Sequence, residues 1–258
     1  MRLDVYLYEN KLAKSRSYAS ELIKNSLVTV DGKVIKKSSF EVTGQTVKVT
    51  GELHGFVGRG GVKLDFALDS FGIDVSGMTA IDVGASTGGF TDCLLSRGAA
   101  KVYAVDIGHG QLDEKLLHDD RVVSMEGVNA KDISPDVIPE FCDIAVCDVS
   151  FISQTLVFSS VCSVLSDDAV FITLIKPQFE CGRAALNKSG IVKDPLDHYR
   201  AIKKVISAAE GFGFAATALT ASPVSGGDGN REFLVLFSHN GERVTEDLIK
   251  EVALCKKV

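Results

Sequence analysis

Apolar residues fall at helical spacing twice near the N-terminus, first at Leu3, Leu7 and Leu12, then at Tyr18, Ala19, Leu22 and Ile23, with Ser15 or Ser17 as the cap between the two. After Asn25 the pattern changes to alternation, in Leu27-Val28-Thr29-Val30, Lys33-Val34-Ile35 and Thr46-Val47-Lys48-Val49. Asp31-Gly32 separates the first two runs, and this dipeptide favours a tight hairpin because both residues tolerate positive φ. Residues 1–50 therefore predict a small domain of two helices and short strands. Residues 51–59 have no period and are rich in glycine, which places a linker there.

Residues 60–258 alternate strand and helix. A helix is expected from Gly60 to Phe71, followed by strands over Thr79–Val83, Lys101–Val105, Val122–Met125, Asp143–Cys147, Ala169–Ile175, Phe214–Thr220 and Glu232–Ser238. Amphipathic segments intervene at Thr91–Ser96, Leu112–His118, Ile152–Leu165 and His198–Glu210, and a closing helix is expected over Thr245–Leu254. That alternation predicts an α/β fold, a doubly wound and mainly parallel sheet that takes ligands at the carboxyl ends of its strands. The last two strands are joined by the glycine-rich segment Ser225–Asn230, expected to be a mobile loop leading into an antiparallel final strand.

The 258 residues suffice for one such domain and a small extra module. A hydrophobic share of 45% and a charged share of 24% exclude a disordered or fibrous chain. The longest uncharged run, Val149 to Ser166, carries six serines and is too polar to cross a bilayer as a helix. No secretory leader is visible, so the cytoplasm is the expected location. Six cysteines form no C-x-x-C pair and the five histidines are scattered, which argues for reduced thiols and against a protein-built metal site. The net charge of −6 is unevenly divided: residues 1–50 hold nine basic and five acidic side chains, and the remainder holds 19 basic and 29 acidic. A basic appendage on an acidic body points to a polyanionic partner.

In the appendage, Arg2-Leu3-Asp4, the run Leu12 to Ala19, Leu22-Ile23-Lys24 and Val28 to Lys33 resemble the S4-type RNA-binding domain. The resemblance implies that Lys14, Arg16, Lys24 and Lys33 contact phosphate. Lys and Arg suit this task because each neutralises a phosphate and releases a counterion. Few aromatic residues lie nearby, which favours folded RNA read by shape over stacked single strands.

The first strand of the larger domain runs into Ile81-Asp82-Val83-Gly84-Ala85-Ser86-Thr87-Gly88-Gly89-Phe90. A dinucleotide site needs glycine where Ser86 stands. Gly84 to Gly88 also spell G-x-S-x-G, but a hydrolase elbow needs an acid and a histidine at loop ends, and His198 and His239 fall in a predicted helix and strand. The third reading is S-adenosylmethionine, with Asp82 serving its amino-acid moiety and Asp106, at the end of the next strand, its ribose.

Neither Pro-Pro-aromatic after the fourth strand nor Pro-Cys anywhere is present, which removes support for methylation of base amino groups or of cytosine carbon. Charged residues instead occupy four strategic places: Lys63 in the first helix, Asp148 after the fourth strand, Lys176 after the fifth and Glu232 opening the last. A lysine ending an apolar strand requires a partner or a function. With the glycine turn, these four resemble the Lys-Asp-Lys-Glu tetrad of FtsJ-type RNA ribose 2′-O-methyltransferases. With the N-terminal module, the whole chain resembles the TlyA family of ribosomal RNA methyltransferases, whose members also carry the name hemolysin. The blocks Gly58 to Leu64, Asp82 to Asp92, Asp106 to Leu112, Asp148 to Ile152 and Lys176 to Glu180 carry that likeness.

The resemblance implies a Rossmann-like methyltransferase sheet, S-adenosyl-L-methionine as cofactor, and cytidine ribose of ribosomal RNA or ribosomal subunits as substrate. It implies cofactor contacts from Gly84, Ser86, Gly88 and Gly89 at the methionine end, Asp106 at the ribose and Asp132 at the adenine. A ribose hydroxyl is a weak nucleophile and needs a base. Lysine serves only where nearby positive charge and desolvation favour loss of its proton. Lys176 is accordingly expected as base, Lys63 as electrostatic partner, and Asp148 and Glu232 as orienters of the lysines. Two rival readings are an RNA-binding protein that keeps the fold without catalysis, which predicts decay of the glycine turn, and a membrane-active hemolysin, for which no span or strongly basic amphipathic helix is found.

Overall fold

A computed structural model describes residues 1–13, 15–50, 55–226 and 229–255 and divides into two compact units, Met1–Phe56 and Val57–Val258. Lys14, expected to contact RNA, lies outside the described residues, as do residues 51–54 of the expected linker and Gly227 and Asp228 of the expected mobile loop.

In the first unit, α1 (Leu3–Glu9) and α2 (Arg16–Lys24) precede β1 (Val28–Val30), β2 (Lys33–Val34) and β3 (Val47–Val49), which form an antiparallel sheet in the order β2-β1-β3. Ser15 is the cap of α2, its hydroxyl accepting from Tyr18 N at 3.1 Å. Asp31 and Gly32, at φ 49° and 78°, make the hairpin turn that their residue types allow. Leu3, Leu7, Ala19, Leu22, Ile23 and Val28 meet in a core belonging to this unit alone.

The second unit begins earlier than the sequence suggests. Val57 N donates to Asp92 Oδ2 at 2.8 Å and Gly58 caps α3 (Arg59–Phe71), so residues 57–59 belong to the unit and not to a linker. The remaining elements are β4 (Thr79–Val83), α4 (Gly89–Ser96), β5 (Lys101–Asp106), α5 (Glu114–Leu117), β6 (Val122–Glu126), β7 (Cys142–Cys147), α6 (Phe158–Cys162), β8 (Leu165–Ile175), α7 (Pro177–Glu180), α8 (Pro195–Glu210), β9 (Ala215–Ala221), β10 (Phe233–Ser238) and α9 (Glu246–Leu254). The sheet order is β6-β5-β4-β7-β8-β10-β9, and β10 alone runs against its neighbours. Such an antiparallel strand brings its first residue to the edge at which the parallel strands end. Helix and strand side chains bury an apolar core that includes Phe158, Phe171, Phe233 and Phe237.

Two elements differ from expectation. The helix expected over Ile152–Leu165 is a 3₁₀ turn, Gln154–Leu156, followed by the single short helix α6. Its serines divert the backbone: Ser160 Oγ donates to Ala130 O and Val157 O, and Ser163 Oγ to Ser160 O. Leu165 instead opens β8 by pairing with Cys142, and the strand continues through a register shift at which Asp167 and Asp168 are exposed. The two ends of the Ser225–Asn230 segment are pinned, Gly226 N donating to Asn230 O and Gly229 N to Gly226 O.

Candidate active site

Four strand ends meet at one edge of the second unit. β4 breaks at Gly84, whose φ of +87° and close fit against the Asp148 and Val149 backbone leave no room for a side chain; a Cβ there meets Asp148 O at 3.0 Å. The turn is tied down by Gly84 N and Ala85 N, which both donate to Val105 O, and by Asp148 N, which donates to Val83 O. Ser86 takes the left-handed conformation (φ 49°) that directs its N–H to Asp106 Oδ2 at 2.8 Å, and Gly108 N donates to Asp106 Oδ1 at 2.7 Å. Gly88 is the left-handed cap of α4, and Gly89 lets the start of that helix approach Gly58, Gly60 and Gly61 of α3.

Beside this turn lies a cleft of about 450 Å³, within the range of small-molecule sites. Its walls are mainly apolar, with Val105, Ile107, Val149 and Ile152, and its polar groups are Asp106, Gln111 and Asn129. A smaller cleft of about 210 Å³ shares Gly84, Ser86, Asp148 and Ser150 with it and is also lined by Lys176.

Pro177 explains why Lys176 stands there. A residue before proline is held extended, and proline is suited to the first helical position, so the apolar run Leu174-Ile175 stops and α7 starts with Lys176 at the junction (φ −110°, ψ 99°). Its Nζ lies 2.6 Å from Asp148 Oδ1 and donates to Ser150 Oγ at 2.7 Å. The antiparallel register sets Phe233 against Ile175, which places Glu232 opposite Lys176. Glu232 Oε2 in turn pairs with Lys63 Nζ of α3 at 2.5 Å, with both side chains at least nine-tenths buried. The tetrad is thus two ion pairs, Lys176–Asp148 lining the clefts and Lys63–Glu232 buried beside them.

Other expected residues stand further off. Asp82 is fully buried and lines neither cleft; its Oδ2 accepts from Thr91 Oγ1 of α4, and burial pushes its carboxyl up to about 7. Asp132 ends an exposed 3₁₀ turn, and Asn129 and Ala130 line the cleft in its place. In the first unit, Lys24 and Lys33 are exposed, whereas Arg16 lies 3.6 Å from Asp4, a carboxylate already gripped by Arg2. Sequence reasoning assigned no role to Ser150 and Gln111, although both lie in blocks that carry the family likeness, nor to Asn129. The hydrolase alternative finds no geometry: Ser86 Oγ donates to Gln111 Oε1, and the His198 and His239 rings bond to Val192 O and Gly213 O. Burial holds Cys142 and Cys147 up at about 12, far from a reactive thiolate. Among the described residues no cluster could hold a metal ion, and no helix is long and apolar enough to cross a membrane.

Residues 56–239 match the FtsJ-like methyltransferase family, and residues 1–47 match the S4 domain. Hemolysin A of Brachyspira hyodysenteriae is 42% identical over 92% of this chain and 99% of its own. The 16S/23S rRNA (cytidine-2′-O)-methyltransferase TlyA of Mycobacterium tuberculosis is 40% identical over 91% of this chain and 88% of its own. A hemolysin-named protein of Streptococcus thermophilus superposes with a TM-score of 0.79 at 38% identity, covering 98% of this chain and 94% of that one. An α/β sheet with one reversed strand, a glycine turn facing an acid on the next strand, and these matches along nearly the whole length place the chain in the TlyA family of FtsJ-like methyltransferases with an N-terminal S4 domain.

Proposed function

We propose that the protein transfers a methyl group from S-adenosyl-L-methionine to a ribose 2′-hydroxyl of ribosomal RNA in the cytoplasm. The observation that carries this reading is Lys176, paired with Asp148 in a cleft that opens through Gly84 and Ser86 into the larger cleft beside Asp106.

The larger cleft fits the cofactor. Asp106 spends one lone pair of each oxygen on Ser86 N and Gly108 N and keeps others for a ribose diol. Asn129 and the apolar walls suit an adenine, and the close-packed Gly84 turn lets backbone approach the methionine end. When bound, S-adenosylmethionine supplies an electrophilic methyl on a positively charged sulfur. The chain's own groups do the rest. Lys176 is held by Asp148 and Ser150 where the smaller cleft adjoins the larger one. As the base, Lys176 Nζ would accept the 2′-hydroxyl proton while the ribose oxygen takes the methyl group and the sulfur keeps the bonding pair. Lys63 and Glu232 hold the position opposite Lys176, and Asp148 keeps the lysine directed into the cleft.

Lys14, Arg16, Lys24 and Lys33 of the S4 unit supply phosphate contacts in this reading, which the S4 match supports. The M. tuberculosis relative's name supports cytidine on both subunits. Tritiated methyl transfer to unmodified small and large ribosomal subunits, assayed separately, tests the proposal. Label is expected in ribose, and Lys176→Ala is expected to lower the rate by about 10²-fold or more. Normal turnover by that variant removes Lys176 as base, and absence of ribose label despite cofactor binding overturns the reaction.

A further inference from the structure

The methyltransferase unit is acidic, and most of its cations are occupied. Arg97 pairs with Asp65 and Asp69, Lys101 with Glu140, Lys115 with Asp92, Arg121 with Asp119, Lys203 with Glu246 and Arg243 with Glu210. Among the described residues of this unit, four exposed cations have no acidic or hydrogen-bonding partner: Lys131, Arg183, Lys188 and Lys193. Three of the four fall in one stretch, 181–193, that contains no acid at all. Its flanking acids are engaged elsewhere, Glu180 with Lys204 and Asp194 as the cap of α8.

This stretch is built, not loose. Leu186 bridges Val192, and Asn187 Oδ1 accepts from Ser189 N and Ile191 N, which closes a tight turn with Lys188 exposed on it. Asn230, almost fully buried, clamps the turn from outside: its Oδ1 accepts from Val192 N and its Nδ2 donates to Gly190 O, both at 3.0 Å. Asn230 is two residues from Glu232, and the stretch itself begins directly after α7, which starts beside Lys176. The unpaired cations are therefore anchored to the two segments that deliver Lys176 and Glu232, at the edge of the sheet where the clefts open. Keeping three cations unneutralised on a rigid loop of an acidic body raises the local potential and serves no neighbour in the fold.

We propose that the loop Arg183–Lys193 is a phosphate-binding surface on the methyltransferase unit itself, gripping the RNA backbone beside the acceptor ribose. This inference rests on the ribosomal RNA reading above. It adds a second electrostatic footprint to that of the S4 unit, tied through Asn230 to the segment that carries Glu232.

Binding of the full-length protein to deproteinised ribosomal RNA, measured between about 50 and 200 mM salt, tests it with Arg183→Ala/Lys188→Ala/Lys193→Ala, with K188E alone, and with K203A as a paired-cation control. Each lost phosphate contact lowers the slope of log affinity against log salt by roughly 0.7–0.9, so the triple variant is expected to lose about 2–3 from the slope and at least about tenfold in affinity at low salt. K188E is expected to weaken RNA binding in the same direction, and K203A to leave the slope unchanged. Cofactor affinity is expected to stay at the wild-type value throughout. An active wild type whose slope is unchanged in the triple variant overturns the loop assignment alone. A wild type that binds RNA but labels no ribose overturns the reaction and leaves the loop to be judged by the slope, and one that binds no RNA overturns both. Weakened binding to whole subunits with unchanged binding to naked RNA also overturns the proposal, since the loop then meets a ribosomal protein.

Discussion

Asp82 shows how one buried residue links the cofactor turn to stability. Its Oδ1 is buried without a partner, and burial raises the carboxyl from 3.8 to about 7 even though Thr91 Oγ1, donating to Oδ2, opposes the rise. Below pH 3.8 the folded and unfolded chains are both protonated at this position. Between 3.8 and about 7 the unfolded chain loses the proton and the folded chain retains it, so stability falls as pH rises through that window. Asp82→Asn is expected to lack this loss, and the difference in Tm between variant and wild type should grow from about pH 4 to about pH 7 and then level off. Thermal unfolding at a series of pH values checks it; parallel profiles would show that Asp82 is ionised in the fold. Asp106 and Lys176 were legible as cleft-lining residues because strand ends in an α/β sheet are where clefts open. Asp132 was misplaced because a 3₁₀ turn points successive side chains to different sides, and the sequence does not say which one faces the cleft.

At the scale of elements, the loop after β7 and the helix after β8 carry the two halves of the Lys176–Asp148 pair, and a buried carboxylate ties them together. Glu180 of α7 accepts from Ser153 Oγ at 2.6 Å and Gln154 N at 2.8 Å, and pairs with Lys204 of α8 at 3.0 Å. Gln154 adds a second tie by donating from Nε2 to Leu174 O. Glu180→Ala leaves the buried Gln154 N–H without an acceptor, at a cost of about 1–3 kcal/mol. It is expected to lower Tm and kcat while the affinity for S-adenosylmethionine is retained, because none of its partners lines the larger cleft. Glu180→Gln, whose single side-chain oxygen can still accept from Gln154 N, is expected to recover part of kcat. Calorimetry and methyl transfer in parallel check this, and equal kcat in Ala and wild type would reduce Glu180 to a structural contact. The strands and long helices were readable from period alone, since β4 and α3 keep a consistent apolar face. The helix expected before β8 was not, because its serines satisfy carbonyls in ways that only a folded neighbourhood reveals.

Across the whole molecule, the two units have separate cores, so the Val57–Val258 unit should fold without the first fifty-six residues. A chain starting at Val57 is expected to keep cooperative unfolding and bind S-adenosylmethionine, while its affinity for ribosomal RNA falls and its salt slope shrinks. Calorimetric titration and filter binding check both, and undiminished RNA affinity would remove the S4 unit from substrate binding. The charge split that suggested this division was visible in the residue count, and so were the helical and alternating periods of both units, because period and charge are local properties of a chain. What no local property contained was the pairing: Lys63 meets Glu232 across 169 positions because β10 enters the sheet reversed beside β8 and starts at the ligand edge, and Lys176 meets Asp148 because β7 and β8 lie parallel as neighbours. Strand order and direction are decided by which faces bury one another in three dimensions, so the sequence determined the elements and the chemistry available, and the tertiary structure decided which charges were joined and where the unpaired ones were left.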